Sequence, residues 1–174
     1  TLFRSTQPTM RPLDIVVLLK IIAYADTHWL QQPMAVALGI SQSELSKSMA
    51  RSNYARLLDE SGKNVRCLAL MEFLEHGVAY AFPQQPGPMV RGIPTSHSAS
   101  PLRDQIKSDE SYVWPSATGK IKGQAITPLY KSVPNAVVSD AKLYEMLALV
   151  DAIRVGSMRE KNLAVLELKI RLLA

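Results

Sequence analysis

The sequence predicts a mainly helical α+β chain, with helices in its first half, short strands behind them and a pair of helices at its end. Three observations predict it. Apolar residues recur at helical spacing over 12–75 and again over 139–173. Short β-branched and aromatic runs between Pro- and Gly-containing turns fill the interval 78–126. Gly39, Gly77 and Gly156 stand where helical patterns stop. At 174 residues and 47% hydrophobic content the chain suits one ordinary domain, or a small domain with a substantial extension, and can bury a core.

The first helix is predicted from Pro12, which tolerates the first helical turn, through Leu13, Ile15, Val16, Leu18, Leu19, Ile22 and Ala23, with Asp14 suited to the positive end of the helix dipole. A break at Asp26, Thr27 and His28 leads to a second helix from about Trp29 to Leu38, closed by Gly39. Ser41 starts a third, running to about Leu58. A polar turn over Asp59–Lys63 follows, and Asn64 is expected to cap a fourth helix over Val65–Glu75, ended by Gly77. Val78–Phe82 reads as a strand returning, after a Pro-rich turn, as a second strand over Met89–Ile93. Tyr112–Trp114 and Ile121–Ile126 read as a second small hairpin. From Ser139 two helices are expected: Leu143, Met146, Leu147, Val150 and Ile153 share one face, and Leu163, Leu166, Ile170 and Leu173 share another beyond Gly156.

The stretch from Gln32 to Met49 carries the functional expectation. Ala35 is small where two helices pack closest, Gly39 supplies a left-handed turn, and Ile40 and Leu45 fill the space between the helices with Leu38 and Met49. Ser41 and Glu44 form a Ser-x-x-Glu capping box that fixes where the third helix begins. At 100° per residue from Leu45, the residues Ser43, Lys47, Ala50 and Tyr54 point away from the core, flanked by Gln42, Ser46 and Arg51.

At these positions the stretch resembles the helix-turn-helix of prokaryotic transcriptional regulators. The resemblance implies a recognition helix whose Gln42, Ser43, Ser46 and Lys47 meet base edges in a major groove while Arg51, Tyr54 and Arg56 line the same surface and the arginines reach phosphates. The run Leu70–Ser98 resembles the helix, strand and wing that follow such a helix in winged-helix regulators, which places Arg91 on the wing. The expected organisation is an N-terminal tail over 1–11, a winged helix-turn-helix domain over 12–96, an irregular segment over 97–138 and C-terminal helices over 139–174 for dimerisation or partner binding.

Charge agrees in sign. The net charge is +5, and Lys47, Arg51, Arg56, Lys63 and Arg66 outnumber Asp59 and Glu60 where the third helix exposes itself, whereas Leu13–Ser46 is net acidic. The expectation is sequence-specific binding of double-stranded DNA by a cytoplasmic homodimer that acts as a transcriptional repressor. Two alternatives are an antitoxin-type regulator whose C-terminal half binds a partner protein and a small-molecule-responsive regulator.

Other chemistry is not indicated. The lone Cys67 cannot form an internal disulfide, and His28, His76 and His97 lack ligand spacing, so no metal is expected. No phosphate-cradling Gly-rich loop or nucleophile-elbow motif occurs, and Asp59-Glu60 and Asp109-Glu110 read as solvated turns, so neither an enzyme nor a cofactor is expected. Trp29 and Trp114 read as buried anchors. Thr1–Arg11 lacks a leader pattern, and the run Ile15–Ala25 is interrupted by Lys20 and far short of the roughly 20 residues a membrane span needs.

Overall fold

The computed structural model describes residues 8–25 and 27–174. Most of the expected N-terminal tail, Thr1–Gln7, and Asp26 of the expected break lie outside the described residues. In chain order the elements are α1 (Pro12–Ala23), α2 (Gln31–Leu38), α3 (Gln42–Tyr54), α4 (Cys67–His76), α5 (Val78–Ala81), β1 (Met89–Pro94), β2 (Tyr112–Pro115), β3 (Ile121–Ala125), α6 (Val133–Ala136), α7 (Ala141–Val155) and α8 (Met158–Leu173). The chain is thus α+β, about 53% helical with a small three-stranded sheet.

Helix α1 is the hub. Every residue from Leu13 to Ile21 is buried, including the polar Asp14 and Lys20, because α3 and α7 both pack against it. Two ion pairs anchor it: Asp14 to Arg51 of α3, and Lys20 Nζ to Asp140 at the N-cap of α7, at 2.6 Å. A charge survives in such a place only when it is paired and hydrogen-bonded, so these residues select the neighbours of α1 as well as its burial.

Three expectations about the first half are corrected. Helix α3 ends at Tyr54 rather than near Leu58, because Arg56 adopts φ +60° and the chain closes a Schellman turn: Leu57 N–H donates to Ser52 O and Arg56 N–H to Asn53 O. That reversal sends Leu57 and Leu58 into the core. Helix α4 begins at Cys67, and Asn64 does not cap it. Asn64 Nδ2 instead donates to Asp59 Oδ2 at 2.7 Å, closing the 59–64 loop beside a bridge between Leu58 and Val65.

The third correction is larger. Residues 78–81 are helical, so the expected hairpin of 78–82 with 89–93 does not form. Val78 and Phe82 lie one helical turn apart; Val78 is fully buried, and Phe82 meets Phe73 edge to face at 6.1 Å. A strand would have put those two side chains on one face but moved them too far apart for a single pocket beside α7.

Strand β1 finds its partners downstream. Its residues Met89–Gly92 pair antiparallel with Gln124–Ile121 of β3, and Gly92–Pro94 pair antiparallel with Pro115–Val113 of β2. Strands β2 and β3 then pair in parallel, Tyr112 with Gln124 and Val113 with Ala125, which closes a small barrel. The expected β2–β3 hairpin is therefore also corrected. Closure needs backbones in contact at Gly92 and Gly119: a Cβ on Gly92 would overlap the Trp114 carbonyl, and one on Gly119 would overlap Gly92.

The barrel is fastened to α7 by the buried carboxylate of Asp151. Its Oδ2 accepts from Trp114 Nε1 at 2.6 Å and from Thr95 Oγ1 at 2.7 Å, while Oδ1 accepts from Arg154 at 2.9 Å. Arg154 also donates to the carbonyl of Phe82. This indole nitrogen satisfies the polar end of a tryptophan that is 1% exposed.

Helices α7 and α8 pack antiparallel-fashion as expected of two helices broken at Gly156, and α7 also contacts α1, α4 and α5. The face of Leu143, Met146, Leu147 and Val150, which suits either a dimer interface or packing back onto the first helix, is buried within the chain itself, where α7 fills the common core with α1. On α8, Met158, Leu166, Ile170 and Leu173 remain exposed. Among the described residues no helix is long and apolar enough to cross a membrane.

Candidate nucleic-acid interface

Helices α2 and α3 are joined by a tight turn over 39–41 and pack on one another. Ala35 and Leu38 of α2 and Leu45 and Met49 of α3 are buried between the elements, Leu45 completely. Gly39, at φ +65°, ends α2 in a second Schellman turn, with Ile40 N–H donating to Ala35 O and Gly39 N–H to Val36 O. The left-handed conformation is one that a residue with a Cβ enters only at a cost, which is why glycine stands here.

The capping box is formed in full. Glu44 N–H donates to Ser41 Oγ at 3.1 Å, and Ser41 N–H donates to Glu44 Oε2 at 2.9 Å. These bonds, the backbone amide of Ser41 first, hold the Glu44 carboxyl below its ordinary pKa, with a further contribution from the Tyr130 hydroxyl. The start of α3 is thereby determined by its own sequence.

The outward face of α3 is open. Gln42, Ser43, Ser46, Lys47, Ala50 and Tyr54 are all exposed, and Tyr54 is 58% exposed despite its ring. Five of the eight residues expected to meet DNA, namely Gln42, Ser43, Ser46, Lys47 and Tyr54, therefore share one solvent-facing surface. Arg56 is also exposed, just beyond the end of the helix.

Arg51 is the exception on this helix. Its Nη2 donates to Asp14 Oδ1 at 2.7 Å and its Nε to Asp14 Oδ2 at 2.9 Å, while Ser48 Oγ donates to the same carboxylate at 2.7 Å. Asp14 also accepts from the Arg11 amide at 2.8 Å, capping α1. The expectation that Arg51 reaches phosphate is corrected, because its guanidinium is spent on a carboxylate that has no exposure at all. Sequence placed Arg51 at the edge of the exposed face; only the neighbouring helix turns it inward.

Arg91 is exposed on β1, directly across from Lys122 of β3, and neither has an acidic partner among the described residues. No principal packing contact joins the sheet to α2 or α3, so Arg91 is not brought beside the open face of α3 as a wing would bring it.

Two residues that sequence reasoning passed over complete the site. Ser132 Oγ donates to the Leu38 carbonyl at the end of α2, at 2.5 Å, and its Cβ lies 3.3 Å from where a Cβ on Gly39 would be. Tyr130 donates its hydroxyl to Glu44 Oε1 at 2.9 Å, and burial, then the Glu44 carboxylate, raises its pKa. The segment leading into α6 thus crosses the turn of the helix-turn-helix. No local signal marks it, because its partners lie about ninety positions earlier: 94 residues for Ser132 and 86 for Tyr130.

Elsewhere the chemistry is structural. Cys67 is half-buried, and burial pushes its thiol pKa up, away from the reactive thiolate. His97 is buried against Tyr112, with Nε2 hydrogen-bonded to the Glu110 carbonyl. Among the described residues no group of three or more His, Cys, Asp and Glu converges as a metal site would. No family model matches the chain, and no curated protein or solved structure matches it either.

Proposed function

We propose that the protein binds double-stranded DNA in a sequence-specific manner as a transcriptional regulator, with α3 as the recognition helix. The observation that carries this reading is the open face of α3: a helix whose start is capped and whose inner side is locked presents Gln42, Ser43, Ser46 and Lys47 to solvent, unpaired with any other part of the chain among the described residues. Such a face fits a major groove, where amide, hydroxyl and ammonium groups read base edges.

The DNA surface in this reading consists of Gln42, Ser43, Ser46, Lys47, Tyr54 and Arg56, without Arg51. A second copy belongs to the same reading, because two-fold symmetry lets two recognition helices meet two half-sites; the exposed stripe of α8, Leu166 with Ile170 and Leu173, is the apolar surface left for it.

The test is selection of genomic fragments by the purified protein, followed by titration of a selected duplex and its scrambled counterpart at several salt concentrations. Preference for the selected duplex, with affinity falling steeply as salt rises, supports the reading. Recovery of no fragment above background, or equal affinity for both duplexes, refutes it.

A further inference from the structure

The segment crossing the helix-turn-helix turn carries a cation. Lys131 stands between the two anchored residues, Tyr130 on Glu44 and Ser132 on Leu38, and its own side chain is exposed. It forms no ion pair among the described residues, and its charge lies near enough to Glu44 to help hold that carboxyl ionised. A flexible lysine on a loose loop would say little. Here, however, the residues on both sides are tied by side-chain hydrogen bonds to the last turn of α2 and the first turn of α3, which holds Lys131 beside Glu44 at the start of the open face of α3.

From this placement we infer that Lys131 is a contact for a backbone phosphate of the duplex bound by α3, and that Tyr130 and Ser132 are its positioning residues. The inference rests on the reading of α3 as a recognition helix and extends its surface to a part of the chain that no local motif connects to it. A duplex whose major groove receives Gln42 and Ser43 has a sugar–phosphate rail beside the turn at 39–41, and Lys131 is the cation stationed there.

The chemistry favours phosphate over a base. The ammonium is a point charge on a four-carbon stem, suited to electrostatic contact rather than to the bidentate pattern of base reading. The nearby Glu44 carboxylate takes its hydrogen bonds from the Ser41 amide, the Ser41 hydroxyl and the Tyr130 hydroxyl. It offsets part of the field of Lys131 but forms no ion pair with it, so the ammonium keeps its own donors for a phosphate.

The experiment compares the full chain with Lys131→Ala, Lys131→Arg and Lys107→Ala on the selected duplex and on its scrambled counterpart, each over a range of salt. Lys107 is an exposed lysine in the loop before β2, so its removal changes net charge equally. For Lys131→Ala the slope of log affinity against log salt is expected to fall by about 0.9, with similar weakening on both duplexes, whereas Lys131→Arg keeps the slope and Lys107→Ala leaves it unchanged. A slope for Lys131→Ala equal to that of the unmodified protein overturns this inference while leaving the recognition helix intact. Equal loss in Lys107→Ala also overturns it, because net charge alone would then account for the effect. If the unmodified protein binds no duplex, both readings fall together.

Discussion

Replacing Arg51 by methionine separates the structural reading of α3 from the electrostatic one. Methionine keeps much of the side-chain volume and removes only the guanidinium. Asp14 would then retain Ser48 Oγ and the Arg11 amide as donors but lose its counter-ion, in a position with no solvent exposure, while Arg51 itself is 12% exposed. Solvent screening is therefore slight, and leaving such a carboxylate unpaired costs about 3 to 5 kcal/mol. For a chain of this length that corresponds to a fall of roughly 6 to 20 °C in Tm. Removing the whole cluster at once, with Asp14→Leu, Ser48→Ala and Arg51→Met, is expected to recover part of the loss, because the buried charge goes with its counter-ion while only the Arg11 amide loses its acceptor. The assay is thermal and urea unfolding of the three proteins, with DNA titration at a temperature where each is folded. Arg51→Met should keep the salt slope of the parent, since its guanidinium faces Asp14. A variant that melts like the parent and loses about one phosphate's worth of slope would show that Arg51 leaves Asp14 for DNA, and the clamp argument would be wrong.

Further outcomes follow from the same geometry. Leu45→Ala opens a cavity between α2 and α3 at a site with no exposure and is expected to cost roughly 2 to 5 kcal/mol, read by urea unfolding, whereas Lys47→Ala should leave Tm unchanged and weaken DNA binding. Gly92→Ala forces a methyl into the Trp114 carbonyl and is expected to destabilise the barrel by roughly 1 to 3 kcal/mol or more; a fall in Trp114 burial, seen as a fluorescence shift, reports it, and unchanged emission and Tm would contradict the closed barrel. Asp59 supplies a pH dependence. Hydrogen bonds from Ser61 and Asn64 hold its carboxyl down from 3.8 to about 2, so its contribution to the 59–64 loop is complete above about pH 4 and fades as pH falls towards 2. Amide protection in that loop, taken relative to the intrinsic exchange rate at each pH, should therefore fall over this acid range in the parent and be low throughout in Asp59→Ala.

Where local chemistry was decisive, the sequence was readable. The helix-turn-helix stretch announces itself through residues whose partners are three or four positions away: the Ser41–Glu44 box, the Gly39 turn, and the helical alternation of Leu45 and Met49 with Ser43 and Lys47. The break at Gly156 belongs with them; the Ser157–Glu160 capping box that begins α8 just beyond it is equally local and was not read from the sequence. Each is settled by short-range hydrogen bonding or by period, both of which a linear string records.

The strand region was legible as to composition but not as to pairing. Met89–Ile93, Tyr112–Trp114 and Ile121–Ala125 do form strands, yet 78–82 does not, because Val78 and Phe82 serve a helical surface as well as they would a strand. Which strand pairs with which was decided by close backbone contact at Gly92 and Gly119 and by the hold of Asp151 on Trp114 and Thr95, 37 and 56 positions away. Nothing local distinguishes a hairpin from this barrel.

By itself, then, the sequence determined the long helices, the capped start of α3, the Gly39 turn before it and the outward face of α3, because periodicity, capping and glycine turns act within a few residues. Only the tertiary structure decided that Arg51 is turned inward by Asp14, that Leu143, Met146, Leu147 and Val150 are buried against the chain's own helices, and that Tyr130, Lys131 and Ser132 stand over the turn. Those are contacts between residues far apart in the chain. Their energies depend on which surfaces meet, and a charge or an apolar face reads the same in the sequence whether its partner is another helix, another molecule or water.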